Sequence, residues 1–210
     1  MDIKPIETVY NGYRFRSRLE ARWAVFFDAA GIEYQYEPEG FVLSEGVRYL
    51  PDFFLPKLSA YVEIKRNNLD EDSLYDAEQK CESLQVDKDC VVLLCQGDPV
   101  DMNITAFFSM WNDELEMYEC SYDSACFVKN ASWWIPFMYS DAKAGITSKH
   151  GNPDDVYIAI GDEDYNITTP FGQKCLIDRC LIIQGSYFGK ERKIARQARF
   201  EHGETPRIRR

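Results

Sequence analysis

Tyr61-Val-Glu63-Ile-Lys65, preceded four residues earlier by Pro51-Asp-Phe-Phe-Leu-Pro56, is the stretch that decides the fold. Side chains alternate across a β-strand, so Tyr61, Glu63 and Lys65 are predicted to project from one face, and the two apolar residues between them from the other. Glu63 and Lys65 therefore point the same way, beside the acid of the preceding stretch.

Two acids and a lysine in this arrangement indicate a cation site. Carboxylates that converge on one point, here Asp52 and Glu63, repel each other unless a positive charge lies between them. Mg²⁺ suits this position because it takes one or two carboxylates and completes its shell with waters and phosphate oxygens. Lys65 at the edge of such a site can hold a phosphate or orient an attacking water. The alternative is an ordinary surface strand that alternates acidic and basic residues.

The composition is typical of a globular protein. The chain has 210 residues, of which 45% are hydrophobic and 28% charged, enough for one large domain or for a core with an added lobe. No apolar run is long enough to span a membrane, and the first residues lack the pattern of a secretory signal. The seven cysteines are scattered without a framework spacing, so we expect reduced thiols and a cytoplasmic location.

The net charge of −11 is unevenly distributed. Contact with nucleic acid phosphates needs positive charge, and both ends of the chain supply it. Residues 190–210 hold eight Lys and Arg against three acids, a local excess of five positive charges, and arginines recur near the start. This asymmetry permits a phosphate-binding groove, although solvated basic faces are the alternative. The residues predicted to contact DNA there are Arg16, Arg18, Arg192, Arg196 and Arg199.

A helix is predicted between Ser17 and Gly31. Ser17-x-x-Glu20 has the form of a capping box, apolar residues then recur at helical spacing, and Gly31 supplies the stop. Glu20 lies on the flank of the buried face of this helix. The sequence leaves two interpretations of Glu20 open, a helix-capping glutamate or a third carboxylate that leans toward the cation site.

The remainder of the first half alternates strands with one further helix. The predicted elements are, in chain order, extended residues 32–37 and 41–43, a hairpin turn at 44–46, a return strand at 47–55, a third strand at 61–65, a helix at 70–84 and a buried central strand at 90–95. Asp52 is expected near the end of the return strand. With the first helix, the predicted order is helix, three strands, helix, strand.

Motif and element order together resemble the PD-(D/E)xK phosphodiesterase superfamily, which includes restriction-type and resolvase-like endonucleases. Pro51-Asp52, then ten residues, then Glu63-x-Lys65 match its motif, and the predicted order matches its αβββαβ core. The resemblance covers about residues 10–97. The stretches 15–27, 36–41 and 49–53 are similar, more specifically, to nuclease-like proteins of phages and prophages.

The resemblance implies an α/β fold with a restriction-endonuclease-like core built on a mixed sheet, and the activity of a DNA endonuclease encoded by a phage or prophage. By it, Asp52 and Glu63 bind the metal, Lys65 is the motif lysine, and Glu20 is the glutamate of the first helix. The implied cofactor is Mg²⁺, for which Mn²⁺ substitutes, with the Ile64 carbonyl as a possible further ligand.

Lys80, on the second predicted helix, occupies a place where branches of the superfamily use a Gln or Lys to steady a phosphate. An exposed polar residue on an amphipathic helix is the alternative interpretation.

The second half is predicted to be β-rich. Aromatic, strand-like pieces occur at 106–111, 126–128 and 132–137, separated by acidic stretches. We therefore expect a nuclease-like core over residues 1–97, a β-rich extension packed on it over residues 98–185, and a basic helix and tail over residues 186–210, with the helix at 186–201.

Two functions from different classes are compatible with these features. The first is a Mg²⁺-dependent deoxyribonuclease that hydrolyses phosphodiester bonds in DNA. The second is a catalytically inactive accessory protein with the nuclease fold that binds a phage or host protein through its acidic surface. The intact set of two acids and a lysine favours the first function, and the charge of −11 favours the second. The oligomeric state stays open.

Overall fold

The capping residues Ser17 and Gly31 set the two ends of the first helix. In the computed structural model, which describes residues 6–44, 46–101, 103–112, 114–129, 156–160, 164–168, 174–178, 188–198 and 200, α1 spans Arg18–Ala30. The Ser17 side chain accepts a hydrogen bond from the Glu20 N–H, and Gly31 ends the helix in the left-handed conformation at φ 74°. The predicted start and stop of this helix are confirmed.

The described residues contain two further α-helices, a 3₁₀-helix at Pro56–Leu58 and thirteen strands. Helix α2 spans Glu71–Lys88, and helix α3 spans Gly189–Arg196. The strands are β1 Thr8–Tyr10, β2 Tyr13–Phe15, β3 Gln35–Tyr36, β4 Phe41–Val42, β5 Arg48–Tyr49, β6 Phe53–Leu55, β7 Ala60–Lys65, β8 Val91–Gln96, β9 Asn103–Asn112, β10 Met117–Lys129, β11 Val156–Ile160, β12 Asp164–Thr168 and β13 Lys174–Asp178. None of these helices is both long enough and apolar enough to cross a membrane.

A mixed sheet forms the centre of this α/β fold. Its order is β13-β12-β11-β10-β9-β8-β7-β6-β3, with β7 and β8 parallel and the other neighbours antiparallel. The crossover between the parallel pair is α2, as parallel strands require. Two separate ribbons, β1–β2 and β4–β5, complete the described strands.

The two faces of the sheet bury different clusters. Val62 and Ile64 of β7 pack with α1 and with buried residues of α3, whereas Tyr61 packs with α2 and with the β4–β5 ribbon. The predicted alternation of β7 is therefore confirmed. Because β7 and β8 are covered on both faces, the polar side chains of β7 must be paired where they are buried.

The return strand predicted over 47–55 is wrong as a single element. Its first part, β5, pairs with β4 in the outer ribbon, and its second part, β6, pairs with β7 in the main sheet. Pro51 lies at the break, where it has no N–H for a sheet ladder and disfavours continuation. Asp52 consequently lies just before β6 instead of near the end of a strand.

Helix boundaries also differ from the prediction. Helix α2 is one turn longer than residues 70–84, since Gln85 is buried against β9 through its bond to Ser109 and continues the packed face. Helix α3 is shorter than residues 186–201. Phe188 takes a positive φ of 57°, so the helix starts after it, and Gln197 forms the C-cap.

The predicted β-rich second half is confirmed where the structure describes it. The strand-like pieces at 106–111 and 126–128 lie in β9 and β10, and β9 continues the sheet by pairing edge to edge with β8. Met117–Ser124 of β10 pairs with β9, and Ala125–Lys129 pairs with β11. The piece at 132–137 lies outside the described residues.

Gly97 connects α1, β7 and the end of β8. Its N–H donates to the Lys65 carbonyl at 2.7 Å, and its carbonyl accepts the indole N–H of Trp23 at 2.9 Å. Its φ is +79°, and a Cβ atom there would clash with the side-chain amide of Asn67. Only glycine fits this position without strain and without displacing Asn67.

We expect Gly97→Ala to destabilise the protein by about 2–3 kcal/mol, because the strain of a left-handed alanine adds to the clash with Asn67. Gly12→Ala is the matched control, since Gly12 has φ +84° with nothing within 4 Å of the added Cβ, and its cost is expected to be about 1 kcal/mol. Urea denaturation measures both. Equal losses in the two variants would show that the contact with Asn67 contributes nothing.

Candidate active site

Asp52 lies buried at the junction between the β4–β5 ribbon and the main sheet, with 3% of its surface exposed. Its Oδ2 accepts the backbone N–H of Ile64 at 2.7 Å, and its Oδ1 accepts Nη2 of Arg16 at 2.8 Å. Strand β6 begins at Phe53, which is paired with Val62, so the side chain of Asp52, one residue before the strand, takes the place of a further strand residue beside β7. The break at Pro51 thus aims this carboxylate at β7.

Glu63 projects from the α2-facing side of β7 and is also buried. Its Oε2 accepts the hydroxyl of Tyr49 at 2.9 Å, and its Oε1 accepts Nζ of Lys65. The Lys65 side chain is one-third exposed, so its ammonium lies where the buried acids meet solvent. The structure therefore brings together Asp52, Glu63 and Lys65 as the sequence predicted.

The electrostatics of the cluster reflect two buried acids at close range. The pKa of Asp52 is raised to about 8, first by burial and then by the negative charges of Glu63 and Glu20, while the Ile64 N–H and the charge of Lys65 act to lower it. Burial is the largest effect on the pKa of Lys65 and lowers it, but the charge and hydrogen bond of Glu63, together with the charge of Asp52, outweigh burial, so the net direction is upward. Lys65 is therefore positively charged at neutral pH, whereas the carboxyl group of Asp52 carries a proton in a large fraction of the molecules.

Arg16 supplies the positive charge nearest to Asp52. Its Nε lies 2.6 Å from Oε1 of Glu37, and its Nη2 lies 2.8 Å from Oδ1 of Asp52, while more than half of its side chain is exposed. Arg16 thus neutralises the buried carboxylate of Asp52, and a cation bound to that carboxylate would have to replace this ion pair.

Glu20 lies next to this cluster, and its oxygens are engaged by protein donors. Oε1 accepts the Ser17 hydroxyl at 2.7 Å, and Oε2 accepts the Tyr36 hydroxyl at 2.7 Å and the Arg16 N–H at 3.1 Å. These bonds are those of a capping glutamate. The role of Glu20 as a third metal-binding carboxylate stays a prediction.

The donors fit a cation that needs few protein ligands. In the described part of the chain, no three His, Cys, Asp or Glu side chains are grouped as a metal site. Two adjacent buried carboxylates remain, together with the Ile64 carbonyl, which faces the Asp52 side because the N–H and C=O of a strand residue point to the same neighbour. This set suits Mg²⁺ or Mn²⁺, which retain several waters, and does not suit an ion that requires a full protein shell.

The described arginines that are predicted to contact DNA lie on, or just before, two helices that pack together. Arg16 and Arg18 are at the start of α1, and Arg192 and Arg196 are on α3, which contacts α1. Arg192 Nη1 donates to the Val100 carbonyl at 3.4 Å, whereas Arg196 is exposed. The remaining predicted contact, at position 199, lies outside the described residues.

Lys80 is on α2, which packs on the face of the sheet opposite to α1 and α3. Its Nζ is 2.5 Å from Oδ2 of Asp76, one turn earlier on the same helix. The sequence of α2 contains six acids and two lysines, so its surface is negative and unfavourable for phosphates. A phosphate-steadying role for Lys80 stays a prediction.

Two tyrosines of the site were missed by reasoning from the sequence. The Tyr49 hydroxyl holds Glu63, and the Tyr36 hydroxyl holds Glu20. Burial is the main cause that raises the pKa of both phenols above its ordinary range, so they act as neutral donors. Tyr49 is only three residues before Asp52, but the pattern of apolar residues gives no sign that its hydroxyl reaches β7.

No protein-family model and no curated protein sequence matches the chain. The assignment of a function rests therefore on the geometry of the site.

Proposed function

We propose that the protein is a Mg²⁺-dependent deoxyribonuclease that hydrolyses phosphodiester bonds in DNA. The observation that carries the proposal is the convergence of buried Asp52 and Glu63 with Lys65 at the edge of one sheet. A buried pair of acids that raises the pKa of one member to about 8 is unfavourable for stability. Clusters of this kind are characteristic of functional sites.

The residues of the chain have distinct tasks in this proposal. Asp52 and Glu63 hold the ion, with the Ile64 carbonyl as a further ligand, and a bound Mg²⁺ polarises the scissile phosphate and lowers the pKa of its water. Lys65 keeps its positive charge because of Glu63 and offsets the negative charge that develops on the phosphate. Tyr49 fixes the orientation of Glu63 through its hydroxyl.

Charge distribution favours one direction of approach for the DNA. The start of α1 and the neighbouring α3 carry the predicted phosphate contacts, whereas α2 carries six acids. A polyanion is attracted to the first surface and repelled by the second. We infer that the DNA backbone reaches Lys65 and Asp52 past the start of α1, where Arg16 lies, and not across the surface of α2, and that the nuclease-like core extends over residues 1–97.

The second candidate function is that of a non-catalytic protein-binding module. The observation that favours it is that every carboxylate oxygen of Asp52 and Glu63 already accepts a hydrogen bond from a protein donor. With a net charge of −11, such a protein binds a basic partner more readily than DNA.

A metal titration separates the two functions. A ligand that binds only the folded state stabilises it by about 2.7 kcal/mol at a hundredfold excess over its Kd, so Mn²⁺ or Mg²⁺ at millimolar concentration is expected to raise the melting temperature by several degrees. Duplex, branched and single-stranded DNA are then incubated with the protein and either metal. An unchanged melting temperature together with intact DNA would remove the nuclease function.

A further inference from the structure

A cleft of about 600 Å³ lies between the second half of α2 and the β9–β10 hairpin. Its lining includes Glu82, Gln85 and Asp89 from α2 and its C-cap, and Ser109 and Cys120 from the hairpin. None of the described lining residues belongs to the candidate active site. The volume is in the range of ordinary ligand-binding pockets.

A directed chain of hydrogen bonds fixes the chemistry of one wall of the cleft. Gln85 Nε2 donates to Ser109 Oγ at 2.8 Å, and Ser109 Oγ donates to Asp89 Oδ1 at 2.7 Å. Because the single hydroxyl proton of Ser109 goes to Asp89, Ser109 accepts from Gln85, and the orientation of the amide is determined. Gln85 is 1% exposed, and its Oε1 has no hydrogen-bond partner among the described residues. A buried acceptor of this kind requires a donor.

The charge of the cleft is negative. Glu82, Asp89 and Glu119 contribute carboxylates, of which Glu119 also accepts a hydrogen bond from Asn112, and the described residues of the lining include no Lys, Arg or His. Glu82 acts across the cleft, since burial and then the charge of Glu82 raise the pKa of Cys120 to about 11. An ammonium or guanidinium group, which only donates hydrogen bonds, complements carboxylates and an amide oxygen.

Apolar side chains border the same cleft. Val86, Met117 and Tyr118 are in its lining, and each exposes more than half of its surface. Lysine and arginine carry a charged head on an aliphatic stem, and such stems pack on apolar surface of this type. A free amine would leave these three exposed apolar side chains uncovered, whereas a peptide can cover them with the apolar residues that flank its lysine or arginine.

We propose that the cleft between α2 and the β9–β10 hairpin binds a basic segment of a partner protein, with one arginine or lysine side chain directed at Glu82, Asp89 and the Gln85 amide oxygen. The net charge of −11 attracts such a segment from a distance. The site is separate from the carboxylates of the candidate active site, so it does not depend on DNA cleavage.

The test titrates the peptide acetyl-Leu-Arg-Leu-Arg-Leu-amide into the full-length protein by calorimetry and follows backbone amide signals by NMR. Saturable binding is expected with a Kd of about 0.1–1 mM. Glu82→Gln is expected to weaken it about fivefold. The matched control is Glu78→Gln, which removes the same charge one turn earlier on α2, outside the described lining, and it is expected to change the Kd less than about twofold.

A second variant tests the amide. Gln85→Met keeps the volume of the side chain and removes both its free acceptor and the Nε2 donor to Ser109, and it is also expected to weaken peptide binding about fivefold, with unchanged melting cooperativity as evidence of folding. The proposal would be overturned by any of three results: no saturation at about 5 mM peptide, equal weakening in Glu82→Gln and Glu78→Gln, or spermidine binding as tightly as the peptide. The last result would assign the cleft to a free polyamine.

Discussion

Lys65→Ala is expected to reduce DNA cleavage by a factor of about 10²–10³, because it removes the cation that faces the charge developing on the phosphate. Glu63 holds Lys65 in place and raises the pKa of its ammonium, so the charge is present at every pH at which the protein is assayed. Metal binding is expected to survive, since Lys65 contributes a positive charge and no ligand. Single-turnover cleavage at saturating Mg²⁺ measures the effect.

Lys57→Ala is the matched control for this experiment. Lys57 lies just before β7, at the opposite end of the strand from Lys65. Its side chain is three-quarters exposed, and its Nζ lies 3.9 Å from Oε2 of Glu33. Its removal takes away the same formal charge and is expected to leave cleavage within about twofold. Cleavage by Lys65→Ala at more than about a tenth of the wild-type rate, with equal metal occupancy, would contradict the assigned role.

The parts of the structure that the sequence predicts best are those set by local chemistry. The caps of α1 at Ser17 and Gly31 are confirmed because a side-chain acceptor and a residue with free access to positive φ act within one turn. The shared face of Glu63 and Lys65 follows in the same way from the period of a strand. That they meet Asp52 follows from the antiparallel pairing of the neighbouring strands.

The parts that were missed depend on contacts distant in sequence. The strand break at Pro51 depends on which sheet each half joins, and nothing in the residues around Pro51 specifies that partner. The hydrogen bond from Tyr49 to Glu63 and the ion pair of Arg16 with Asp52 span 14 and 36 residues. Nothing in the sequence indicates that Arg16 pairs with Glu37 and Asp52, and its contact with DNA stays a prediction.

The second prediction with a large effect concerns pH. Burial, with the charges of Glu63 and Glu20, raises the pKa of Asp52 to about 8, so below pH 8 a divalent cation must displace a proton to bind. The apparent Kd for Mn²⁺ is therefore expected to rise about tenfold for each pH unit below 8, and to be constant above it. Calorimetry between pH 6 and pH 9, in buffers with different ionisation enthalpies, measures the affinity and the number of protons released.

The stability of the metal-free protein is expected to fall as the pH rises, whereas the affinity for metal is expected to increase. A carboxyl whose pKa is higher in the folded than in the unfolded state binds more protons when folded, so its contribution to stability is complete below pH 4 and is lost as pH rises through 8. Asp52→Asn keeps an oxygen for the Ile64 N–H but cannot titrate. This variant is expected to bind Mn²⁺ weakly and without pH dependence, and to lose the decline in stability between about pH 4 and pH 8. If wild type and Asp52→Asn show the same pH profiles in both measurements, Asp52 is not the group that couples proton release to metal binding.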